Sequence, residues 1–126
     1  MITLTAETLR EKLKERKEGE LLNLRDMELS DADLSGWDLS WVDFSLTSFH
    51  RVSFDHADMH SCAVENALFD DCSFRGTNFR QADLKGATMR YDDLSGADIS
   101  GADLFSAVLE HANLTGVISD ENTKFF

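Results

Sequence analysis

At 126 residues the chain is long enough for one domain and too short for two ordinary ones. Its 42% hydrophobic content supports a folded core and argues against disorder. Against 12 basic side chains stand 24 acidic ones, a formal charge of −12 that repels nucleic acid and anionic membranes and turns any electrostatic partner towards basic proteins.

Taken from the start, no basic-then-apolar leader opens the chain, and no apolar run approaches about 18 residues. Residues 5–18 predict a helix, with Thr5 as N-cap, Leu9 and Leu13 on one face, and Gly19 as the stop. The mixed charges of EKLKERKEGE suit a solvated face, and Leu4, Leu9 and Leu13 are expected to cover whatever core follows. Residues 1–21 thus form a capping helix and lead-in.

From Leu24 onward every fifth residue is large and apolar. The series runs Leu24, Leu29, Leu34, Leu39, Phe44, Phe49, Phe54, Met59, Val64, Phe69, Phe74, Phe79, Leu84, Met89, Leu94, Ile99, Leu104, Leu109 and Leu114. Nineteen units pass without a slip in phase. Two positions before each centre lies a second column of mostly small residues, such as Ala57, Cys62, Ala67, Cys72, Ala82 and Ala97. Between the columns sits Asp, Asn or Ser in most units, giving the form A(D/N)Lxx seen plainly in SGADISGADL at 95–104.

A period of five fits neither a helix at 3.6 nor a continuous strand at 2. Two inward side chains separated by one outward side chain make a short extended stretch, and the remaining two residues must turn the chain. Short sides joined by turns form a coil, and stacked coils bring equivalent positions into register. Proline is absent, as suits a backbone whose N–H groups are needed in ladders. Gly36, Gly76, Gly96 and Gly116 fall at every fourth unit, with His56 in the one remaining place. Their recurrence marks a corner with positive φ, as in a type II turn.

These motifs closely resemble the pentapeptide-repeat family over residues 22–116. The resemblance implies an all-β solenoid: a right-handed quadrilateral β-helix of just under five coils, with four pentapeptides per coil. Centre and small columns then point inward, and the structural core is the nineteen centres. Phenylalanine concentrates in the middle coils. At about 4.8 Å per coil the rod is roughly 23 Å long. An open solenoid needs caps, and residues 117–126 supply a C-terminal cap or tail containing Val117, Ile118, Phe125 and Phe126 after the phase breaks at Ser119.

Two small-column residues stand out. Asp92 puts a carboxylate where alanine is the rule, so a local bulge or a paired, partly exposed side chain is expected. Trp37 is too large for its slot near the first coil, unless the capping helix leaves room. Cys62 and Cys72 form no CxxC pair and are expected as free, buried thiols facing inward from opposite sides of one coil.

The four histidines lie on outward positions of different faces or coils and read as solvated. No catalytic triad, phosphate loop or carboxylate cleft survives this fold, so neither enzyme activity nor a cofactor or metal is expected. Arg75, Arg80, Lys85 and Arg90 form a basic belt in one outward column, either paired with Asp55, His60, Glu65 and Asp70 one coil earlier or free to dock a partner. Leu46, Leu68, Tyr91, Phe105 and Val108 are the expected exposed apolar residues. Of these, Leu68, Tyr91, Phe105 and Val108, with Phe125 and Phe126, form the candidate interface.

The functional expectation is a non-catalytic interaction or scaffold module with an unknown protein partner in the bacterial cytoplasm. It makes no direct nucleic-acid or membrane contact and can dimerise through its C-terminal end. The resemblance also implies an alternative, since some family members mimic DNA, bind DNA gyrase and protect it from topoisomerase poisons. Residues 22–116 hold 17 acids and 6 bases, but nine of the acids sit in the repeat's own Asp column.

Overall fold

The sides of the molecule are set by turns. Two residues after each of the nineteen centres the backbone adopts positive φ, at thirteen non-glycine residues and six glycines between Asp26 and Gly116. Most of these corners close with a hydrogen bond from the residue three beyond the centre back to the centre's carbonyl. Examples are Trp37 N to Leu34 O at 3.1 Å and Ala57 N to Phe54 O at 2.9 Å. Positive φ at the third turn position alone is the type II geometry. The glycine column therefore marks one corner in four, and the left-handed residue is required at all of them. Trp41, Leu46, Arg51 and Tyr91 accept it at roughly 1 kcal/mol each relative to glycine.

The computed structural model describes residues 1–126. Elements in chain order are β1 (Ile2–Thr3), α1 (Ala6–Leu13), β2 (Leu22–Asn23), β3 (Met27–Ser30), β4 (Val42–Asp43), β5 (Ser48–His50) and β6 (Leu68–Asp70). Parallel pairing joins β1, β3, β5 and β6 on one face and β2 with β4 on another. Single bridges continue the ladders up the rod at a constant spacing of four units, as in Asp33 with Ser53, Ser53 with Ser73 and Ser73 with Asp93. Four pentapeptides make one coil of a four-sided β-helix.

Seventeen of the nineteen centres, Leu24 through Leu104, are buried. Phe49 stacks on Phe69 and Phe54 on Phe74, each pair with ring centroids 4.9 Å apart and planes within 3°. Neighbouring faces meet edge to face, as Phe69 and Phe74 do at 4.9 Å. The two last centres differ from expectation. Leu109 is only partly covered and Leu114 is 44% exposed, because little packs above the final coil.

Both ends add a rung that the repeat count omits. At the start, Ile2 pairs with Met27 and Thr3 with Glu28, and Leu4 N donates to Glu28 O at 2.7 Å. Leu4 thus takes the place of a centre beneath Leu29 and is buried. At the far end Ile118 bridges Asp98, and Lys124 bridges Asp103 with one residue inserted in the register. The ladder therefore outruns Gly116, and Phe125 stands one place past Lys124 where a centre would be.

The helix is shorter than the predicted 5–18. Thr5 does cap it, its Oγ1 accepting Thr8 N–H at 3.1 Å. After Leu13 the bonds tighten to three-residue spacing, and the Arg16 guanidinium caps the Leu13, Asp38 and Ser40 carbonyls. That anchor turns the chain back along the first coil. Leu9 is buried against the coil end, and Trp37 finds room beneath the helix, with the Arg10 guanidinium 4.7 Å from its ring centre.

Phe74→Ala should cost about 3–5 kcal/mol, measured by denaturant unfolding, because it removes a ring in contact with three other phenylalanines. A second pair of variants separates strain from contact. A Cβ on Gly96 meets nothing closer than 3.8 Å, whereas one on Gly86 would clash with Asn66 Oδ1. Gly96→Ala should lose about 1 kcal/mol from positive φ alone. Gly86→Ala should lose more, and the excess should vanish in an Asn66→Ala background.

Candidate interaction surface

The outward column between the two inward ones is occupied by the turn itself. Asp33, Asp38, Asp43, Asp83, Asp93, Asp98 and Asp103 each accept, through Oδ1, the N–H two residues on at 2.9–3.1 Å. Asn78 and Asn113 do the same. This Asx geometry holds the start of each corner. The Ser35 hydroxyl and N–H keep the Asp33 carboxyl below the usual carboxylate range, and the Ser95 N–H does so for Asp93, with Arg75 adding to it.

The basic belt is fully engaged, but upward rather than downward. Arg75 meets Asp93 at 3.0 Å, Arg80 meets Asp98 at 3.1 Å, and Arg90 meets Glu110 at 3.6 Å. Lys85 bonds Asp83 in its own side at 2.7 Å and approaches Asp103 at 3.8 Å. Only Arg75 also approaches a residue of the coil below, Asp55 at 3.9 Å. An outward side chain one place past the centre leans towards the Asp column of the next coil, a relation that Arg25 with Asp43 repeats. The belt carries no surplus positive charge.

Three histidines lie beside carboxylates: His50 by Asp70, His60 by Asp58, and His111 by Glu110. Both thiols are free and buried. Burial first, then nearby carboxylates, push the Cys62 thiol up, and burial raises Cys72 to about 12. Neither is a nucleophile near neutrality. Asp92 is neither bulged nor exposed: it is 1% accessible and keeps its turn bond to Met89 O. The concave surface is confined to the N-terminal end, around the helix, the lead-in after it and the first coil, and its largest depression, about 510 Å³, is lined by Arg10, Leu13, Lys14, Arg16, Trp37 and Asp38.

What the fold leaves unused is apolar: Met1, Ile2, Leu21, Trp41 and Leu46 are exposed in the N-terminal coils, and a second group lies towards the C-terminal end. Tyr91 is 70% exposed and stacks on His111 with centroids 4.8 Å apart. Phe105 is 53% exposed, and Leu114, Ile118, Phe125 and Phe126 are all open to solvent. Leu68 is exposed lower on the face that carries β6, whereas Val108, two coils above it in the same column, is half-buried rather than exposed. The N–H groups of Leu109 and Leu114 have no ladder partner. Sequence reasoning named Tyr91, Phe105, Phe125 and Phe126 but placed Leu114 in the core, because the phase break at Ser119 marks the last centre without saying whether the tail folds back over it.

The pattern described as the pentapeptide repeat region matches residues 22–99, more than half the chain, and that of pentapeptide repeats in eight copies matches residues 93–118. Among solved structures, HetL of the cyanobacterium Nostoc sp. PCC 7120, a pentapeptide repeat protein involved in heterocyst differentiation regulation, is 28% identical with a TM-score of 0.49. The match covers 90% of this chain and 50% of HetL, so the chain spans about half of HetL's length. Rfr23 of the cyanobacterium Cyanothece 51142 is 27% identical over 87% of this chain and 68% of its own, with a TM-score of 0.31. QnrB1, a plasmid-mediated fluoroquinolone resistance protein, is 17% identical over 79% of this chain and 82% of its own, with a TM-score of 0.27. No curated protein matches the chain. With its five-residue columns, its ladders from coil to coil and two matching repeat patterns, this chain belongs to the pentapeptide-repeat family.

Proposed function

We propose that the protein is a non-catalytic interaction module that binds through its C-terminal end, and that the occupant of that end is a second copy of the chain. One observation carries the reading: exposed Phe105, Leu114, Ile118, Phe125 and Phe126 gather at the coil whose ladder donors Leu109 and Leu114 are unpaired. Apolar side chains and open backbone donors on one surface favour contact with another strand edge. A two-fold contact pairs such an end with itself. The reading places the protein in the bacterial cytoplasm, in keeping with two reduced thiols. No helix is long and apolar enough to cross a membrane.

The alternative of a DNA mimic that binds gyrase draws less support from the geometry. Much of the acidic charge sits in the Asp column, which is committed to Asx turns; Arg75, Arg80 and Lys85 pair with members of that same column, and Arg90 with Glu110. QnrB1 shares the fold at a level that says nothing of its partner.

Sedimentation of the full chain over a wide concentration range tests the proposal. The unmodified protein should associate reversibly to a dimer, and Leu114→Ser with Ile118→Ser should shift it to monomer without loss of the β-helix spectrum. A monomer at every concentration would remove the second copy as occupant. Gyrase supercoiling, protected from a quinolone by the protein, would instead favour the mimic.

A further inference from the structure

A single buried side-chain polar atom lacks a partner: Asp92 Oδ2. Its carboxyl lies in a small inward column, above Cys72 of the third coil, and Oδ1 accepts the Cys72 N–H at 2.9 Å. Other polar residues in the inward columns show what such a position offers. Thr47 Oγ1 accepts the Met27 N–H at 3.3 Å and donates to the Leu24 carbonyl at 3.1 Å. Thr77 donates to Phe54 O at 2.8 Å, and Cys72 Sγ approaches Phe49 O at 3.6 Å. Thr123, past the inserted residue, donates to Ile99 O at 3.0 Å.

Each such position looks down on two groups of the coil below: the N–H of its own equivalent residue, and the carbonyl of the centre just before that residue. For Asp92 these are Cys72 and Phe69. The Phe69 carbonyl takes neither a turn bond from Cys72, whose N–H goes to Asp92, nor a ladder bond from the coil above. A carboxylate only accepts, so it can meet the Cys72 N–H but would turn lone pairs on the Phe69 carbonyl. A carboxylic acid carries the one O–H that completes the set.

We propose that Asp92 is held as a neutral carboxylic acid that latches the fourth coil to the third, Oδ1 accepting from Cys72 N–H and Oδ2–H donating to the Phe69 carbonyl. Loss of its proton to water removes the donated bond and leaves an unpaired buried charge, which opens the latch. The charged groups around it favour the neutral form. Asp70 and Asp71 face it from the coil below, and Asp93 is next to it in its own coil. Arg90 is held by Glu110, and Arg75 by Asp93. The coil above offers Ala112 and Asn113. No cation reaches the carboxyl.

Burial, opposed by the Cys72 N–H and reinforced by Asp70 and Asp71, raises the group from 3.8 to about 7. The folded chain therefore binds this proton more tightly than the unfolded chain. Stability from the latch is full below about pH 4 and is lost as pH rises through about 7.

Asp92→Asn supplies the same acceptor with a permanent N–H donor. The ratio of the unfolding constants, unmodified protein over D92N, should rise by up to about tenfold per pH unit between about pH 4 and 7. Above neutrality Cys72 should be alkylated faster in the unmodified protein than in D92N, with Cys62 unchanged as internal control. Should D92N fail to fold, Asp92→Thr reproduces the bonds of Thr47, and carboxyl NMR titration of the unmodified protein decides without any variant. A ratio flat with pH, or an Asp92 carboxyl titrating near 4 in the folded protein, overturns the proposal.

Discussion

Every side of this molecule ends in a residue held at positive φ, and the architecture hangs on those nineteen corners. A chain that bends once in every unit can point two side chains inward, turn one outward, and return above itself after four sides. Without the left-handed residue the bend would not close in two positions, and neither the small column nor the centres would meet a core. The strain at thirteen non-glycine corners is met locally by turn bonds and Asx contacts, and globally by stacked rings and aliphatics.

Once four units close a coil, everything else inherits that repeat. Phenylalanines stack on their equivalents one coil away, surface cations reach the Asp column of the coil above, and inward hydroxyls reach centre carbonyls of the coil below. The surface is thus partly an extension of the ladder. Charge that looks available for a partner is engaged between coils, which is why the exposed apolar groups stand out as the proposed binding surface.

The fold was legible in the sequence to the extent that burial enforces periodicity. Centres and small columns must repeat, so their phase could be counted and the four faces sorted. Corners were half legible, since glycine betrays positive φ while Trp41 or Arg51 in the same conformation does not. The helix end was hidden because Arg16 reaches the carbonyls of Asp38 and Ser40 in the first coil, well beyond any local window. The rung formed by Leu4 was hidden because it pairs with a strand outside its own segment. Asp92 announced itself as an anomaly, yet its two bonding neighbours emerge only from the stacked backbone. The surface was least legible. Tyr91 and Phe105 were nameable, but exposure at Leu114 depends on how far the tail after the phase break covers the last coil, and the repeat does not encode that.

Repetition brings a hazard of its own. A slip of one unit would lay apolar side chains on apolar side chains around the whole coil, so the core alone scarcely distinguishes one alignment from the next. The departures from the repeat make that distinction. Trp37 fits only under the helix, Thr47 sits over a carbonyl that lacks its turn bond, and Thr123 follows an inserted residue. Moved one unit along, Trp37 would lose the space beneath the helix, and the inserted residue that precedes Thr123 would fall out of step with its ladder. The irregular residues are the alignment key of the solenoid, and a chain idealised to perfect A(D/N)Lxx units would gain regularity while losing the means to know which unit belongs where.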